Sequence, residues 1–91
     1  MEVNSKEHIP VSELEEIKRV VNEKKDDVEI REGYNSIIIE KESKKIEINK
    51  DGTIQGSMPL HSFHTHKADS LKVGEDDIEI HYNDGVYVFK I

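Results

Sequence analysis

From residue 14 to residue 21 the apolar positions fall at Leu14, Ile17, Val20 and Val21, a spacing that places them on one face of a helix. Ser12-Glu13-Leu14-Glu15 just before them has the form of a capping box: the Ser12 hydroxyl can accept from the Glu15 amide and the Glu15 carboxylate can reach back to the Ser12 amide. Glu13, Glu15 and Glu16 suit the positive end of the helix dipole, and Lys24 and Lys25 its negative end. The pattern therefore predicts a helix over 12–25. It lasts barely two heptads, too short for a coiled coil.

After Asp26-Asp27 the period drops to two. Val28 and Ile30 alternate with Glu29 and Arg31, and Gly33-Tyr34-Asn35 supplies a turn. Ile37-Ile38-Ile39 is the longest aliphatic run and reads as a strand covered on both faces or sitting centrally. Ile46 and Ile48 alternate next, and Lys50-Asp51-Gly52 turns the chain into Thr53-Ile54-Gln55. Ile78, Ile80 and Tyr82 form a further alternating run, and Asn83-Asp84-Gly85 returns it into Val86-Tyr87-Val88-Phe89. Between Pro59 and Glu75 the pattern is broken. Short strands at Phe63–His66 and Leu71–Val73 compete there with an ordered surface loop, so this stretch is read as irregular.

The motif Asp26-Asp27-Val28-Glu29-Ile30 recurs as Asp76-Asp77-Ile78-Glu79-Ile80, and Lys45-Ile46-Glu47-Ile48 repeats its centre. Half-buried strands select such alternating letters without any duplication. The expected fold class is α+β: one N-terminal helix packed on a curved antiparallel sheet of about five to six strands, since tight turns force antiparallel pairing. A small half-open barrel is the alternative. Residues 1–10 form a lead-in segment, and 27–91 form the sheet with its irregular stretch at 59–75, all in a single domain 1–91. The Leu14/Ile17/Val21 stripe should cross one sheet face and leave the other wet or free for a partner.

The chain has 91 residues, enough for one domain with a thin core. It contains no Cys, which rules out disulfides, thiolate nucleophiles and cysteine-based metal centres and fits a cytoplasmic setting. Residues 1–5 lack the charged-then-apolar pattern of a secretory signal, and no apolar run reaches the roughly 18 residues of a membrane span, so no membrane partner is expected. Thirteen Lys and Arg against 20 Asp and Glu give a net charge of −7, which speaks against nucleic acid as a partner. High charged content with few aromatics would suit a thermophile.

Three groups of residues bear on chemistry. On an extended strand His64 and His66 of His64-Thr65-His66 would point to the same side, close enough to share a zinc ion, with His81, Asp69 or His61 completing the ligands. The competing reading is a polar solvent face with Phe63 packed inward. Glu47–Gln55 follows the first nine positions of a calcium loop, but Met58 stands where a bidentate Glu is needed, so a hairpin is expected. Glu75-Asp76-Asp77, with Asp69 and Asp26-Asp27, could hold calcium or magnesium if the two similar strands pair; solvated turn residues are the plainer reading. Neither a Gly-x-Ser-x-Gly elbow nor a glycine-rich phosphate loop is present, and enzyme activity is not the favoured expectation.

The expected function is a small cytoplasmic binding or interaction module that uses an exposed sheet face or edge, with a protein partner or self-association through Val86–Ile91. A divalent-metal domain is the alternative, with zinc at His64, His66, His81 and Asp69, or calcium or magnesium at the acidic turns, and with metal-dependent hydrolysis as its extension.

Overall fold

The computed structural model describes residues 8–65, 67–83 and 85–91. In chain order the elements are β1 (Ile9–Pro10), α1 (Leu14–Lys24), β2 (Glu29–Gly33), β3 (Ser36–Lys41), β4 (Lys44–Asn49), β5 (Ile54–Met58), β6 (His61–Thr65), β7 (Ser70–Val73), β8 (Asp77–His81) and β9 (Val86–Lys90). The class is α+β and rich in strand. The single sheet expected from the sequence is instead two antiparallel sheets, ordered β2-β3-β4-β5-β6 and β1-β7-β8-β9.

The helix starts two residues later than expected. Glu13, not Ser12, is its N-cap, and no side-chain cap bond forms. The cause lies upstream. Pro10 and Val11 turn the chain, the Glu13 amide bonds the Pro10 carbonyl at 2.9 Å, and the Ile17 amide takes the Glu13 carbonyl as the first helical bond. The lead-in is not featureless either, since Ile9 and Pro10 pair with Leu71 and Ser70 on β7.

The larger sheet is a meander of hairpins. Registers Ile37↔Ile48, Ile39↔Ile46 and Ile48↔Ile54 stack isoleucines across β3, β4 and β5, all buried. Such cross-strand aliphatic contacts are what stabilise a sheet, and each fully buried Ile contributes about 1.5–3 kcal/mol. The smaller sheet offers a matching face from Leu71, Val73, Ile78, Ile80 and Phe89, also buried. Both faces and the helix residues Ile17 and Val21 join one core. The apolar sheet face assigned to the helix in the sequence reading is thus covered by a second sheet.

Two contacts define how the sheets meet. On one flank Phe63 of β6 lies against Tyr87 and Phe89 of β9, with ring centroids 4.4 and 5.5 Å apart. Gly56 makes room for it: a Cβ there would fall inside the Phe63 ring. On the other flank α1 packs against β7 and β3, Lys18 pairs with Glu32 of β2, and Lys25 reaches the β7–β8 turn. The helix closes one side between the sheets instead of crossing a face. Most of the stretch 59–75 is regular, because β6 and β7 occupy it.

A candidate docking edge and the placement of the histidines

Four strands form the edges of the two sheets, and three of them are defended. β1 is two residues long and contains Pro10. β2 carries Glu29, Arg31 and Glu32, with Arg31 held to Glu40 at 3.3 Å and Glu32 to Lys18. β6 has exposed His61, Ser62 and His64. Shortness, proline, charge and polarity are the usual means by which proteins keep strand edges from pairing with other chains.

β9 has none of these over most of its length. Its β-branched and aromatic residues favour the strand. The alternation Val86, Tyr87, Val88, Phe89 turns Tyr87 and Phe89 inward, leaving Val86 and Val88 52% and 45% exposed. The backbone follows the same alternation. The Tyr82 amide bonds the Gly85 carbonyl and the Ile91 amide bonds the Asp76 carbonyl, at 2.8 and 3.1 Å. With the register Ile80↔Tyr87 and Ile78↔Phe89, these bonds direct the backbone groups of residues 85, 87, 89 and 91 toward β8. The N–H and C=O groups of Val86, Val88 and Lys90 therefore point away from the sheet. Among the described residues no other strand pairs with them. Lys90 is the strand's only charge, and it lies 3.8 Å from Asp77.

The described histidines are divided between the two sheets. His64 stands opposite Gln55 on the outward face of the larger sheet, beside a concavity of about 520 Å³ lined by Lys45, Glu47, Gln55, Ser57 and Ser62. His61 belongs to the inward face of β6, 3.4 Å from the Tyr87 hydroxyl. His81 lies on the smaller sheet, its Nε2 3.0 Å from Glu79 Oε1 and its ring 4.3 Å from that of His8. The His8 Nδ1 is 3.3 Å from Ser70 Oγ. Asp69 touches His81 through backbone, its amide donating to the His81 carbonyl at 2.8 Å. His66 lies outside the described residues. Thus His81 and Asp69 are neighbours and His64 belongs to the other sheet. Among the described residues no three His, Asp or Glu side chains are grouped to hold a metal ion. The missed contact was that of His8, whose place in the lead-in hid its link to residue 81.

The acidic segments do meet, though not by pairing of the two similar strands, which lie in different sheets. Asp26, Asp27, Glu75 and Asp76 line one concavity together with Lys24, Lys25 and Lys41. Lys25 is 5% exposed, and its ammonium donates to the carbonyls of Gly74, Glu75 and Asp77 at 2.9, 3.3 and 3.2 Å. Burial lowers its pKa, opposed by the charges of Asp77 and Asp76. The calcium-like segment is a hairpin connection. The Thr53 amide bonds Asp51 Oδ1 at 3.0 Å, and Gly52 takes a φ of 99°. Among the described residues no helix is long and apolar enough to cross a membrane. No family model matches the chain, and no curated protein or solved structure matches it either.

Proposed function

We propose that this chain is a small cytoplasmic protein-interaction module that captures an extended segment of another chain by strand addition along β9. The observation that carries this reading is the contrast among the four edges. β1, β2 and β6 are short, charged or polar, whereas β9 offers three outward N–H and three outward C=O groups beneath two exposed valines. Main-chain bonds would supply the attachment, and the Val86 and Val88 side chains would select apolar residues at alternate positions of the incoming strand.

The test is a titration of the 15N-labelled protein with an acetylated, amidated peptide of residues 85–91. The amides of Val86, Val88 and Lys90 should shift and gain protection from hydrogen exchange, while those of Tyr87 and Phe89, already bonded to β8, should change least. Shifts confined to the outward face of β4, β5 and β6, or none at all, would overturn the reading.

A further inference from the structure

We infer that the segment β9 captures is the β9 of a second copy, laid antiparallel about a two-fold axis at Val88. This rests on the strand-addition reading and names its partner. A two-fold axis sets the same surface of both copies against itself, so an edge must be complementary to its own reverse. The outward groups of β9 belong to Val86, Val88 and Lys90, and only an axis at Val88 pairs all three on both strands. With the axis at Val88, each Val88 faces the other and each Val86 faces the second copy's Lys90. Every outward residue then exchanges both of its backbone bonds, about six in all. An axis at Lys90 would set two ammonium groups face to face, which is destabilising. An axis at Val86 would leave both Lys90 residues beyond the partner strand.

The side chains agree with the central register. On the solvent side Val86 and Val88 of each copy merge into one strip, flanked by the methylene stems of the two Lys90 residues. Lys90 is 71% exposed at its side chain and remains within reach of Asp77, so its charge stays solvated and paired. No acidic residue of either β9 is brought against another, because the strand has none. The two smaller sheets would join into one continuous sheet, removing the unprotected edge in both copies.

Charge and size set the strength. Each copy carries a net charge of −7, which opposes approach at long range and is screened by salt. A single strand pair covers less surface than the roughly 1,200 Å² at the lower end of stable interfaces, so the dimer is weak and reversible.

Sedimentation velocity from micromolar to millimolar protein, in low and high salt, tests this. The wild type should follow a monomer–dimer equilibrium that tightens with salt. Val88→Lys should raise the dissociation constant about tenfold or more by placing two like charges on the axis. Val86→Lys serves as a second variant at the same edge, and Tyr34→Lys, at an exposed hairpin tip of the other sheet, should leave the equilibrium unchanged. A wild type that stays monomeric throughout overturns self-pairing. If the peptide of residues 85–91 still shifts the Val86, Val88 and Lys90 amides, strand addition survives that result; if it does not, both readings fall. A dimer indifferent to both lysine variants overturns the assigned edge.

Discussion

The imidazole of His8 meets that of His81 edge-on, with ring centroids 4.3 Å apart and planes 80° apart, across 73 positions of chain. His8 precedes β1, and His81 ends β8 with its Nε2 against Glu79. This contact and the Ile9↔Leu71 register pin the start of the described chain to the smaller sheet. A double-mutant cycle of His8→Ala and His81→Ala should show a coupling of about 0.5 kcal/mol in urea denaturation, the lower range for edge-to-face rings because His8 is exposed. Strict additivity would mean that the rings merely coincide. The same placement bears on zinc. His64 and His81 sit on different sheets, so a zinc titration by calorimetry should give the same His64-dependent heat in wild type and His81→Ala. Equal losses in His64→Ala and His81→Ala would show that they share an ion.

Lys25 ties the end of α1 to the β7–β8 turn through three carbonyls. Lys25→Met keeps the buried stem and removes the donors; the Asp77 carbonyl keeps the Gly74 amide, and those of Gly74 and Glu75 lose their bond to the ammonium. It should cost about 2 kcal/mol in chemical denaturation. A variant as stable as wild type would show that water replaces the ammonium without loss.

The pH dependence of that tie follows from burial, which lowers the folded-state pKa of Lys25 below its unfolded value. Between those two values the unfolded chain binds more protons than the folded one, so stability from this group rises with pH across that alkaline window. The wild-type advantage over Lys25→Met should therefore grow from neutral pH toward pH ~10, where the unfolded lysine titrates. A shrinking advantage would mean that the carbonyls, not burial, dominate.

Gly56 and Phe63 face each other across β5 and β6, and the ring occupies the space of a Cβ. Phe63 is hemmed in by Tyr87 and Phe89, so it has little room to yield. Gly56→Ala should destabilise by about 2 kcal/mol through overpacking, and adding Phe63→Leu should recover part of that loss. Thermal unfolding of the two variants decides it; an undiminished loss in the double variant would place the strain elsewhere.

Ser12→Ala should leave stability within about 0.5 kcal/mol of wild type, because the helix begins at Leu14 with no side-chain cap. The sequence reading made Ser12 an N-cap worth about 1 kcal/mol. A midpoint lowered by that amount would restore the capping box.

The periodic pattern by itself determined the class, the helix and most of the strands, though not β1, β6 or β7. The stripe Leu14, Ile17, Val21 marked the helix, and the alternations around Ile46, Ile78 and Val86 marked strands, because a chain that buries one face must repeat its apolar residues at the period of its own backbone. It also foresaw the β character of Val86–Phe89. What only the tertiary structure decided was which faces meet. Alternation shows that Ile48 and Ile80 each face inward, and it is equally satisfied by one sheet under a helix or by two sheets sharing a core. The pairing of Ile9 with Leu71 and the ring contact between Phe63 and Tyr87 join residues far apart in sequence and are chosen by packing, which leaves no local trace. For the same reason the opposition of His8 and His81 was hidden, and so was the standing of β9 as an edge. A strand becomes an edge through the neighbours it lacks, and that is a property of the assembled sheet.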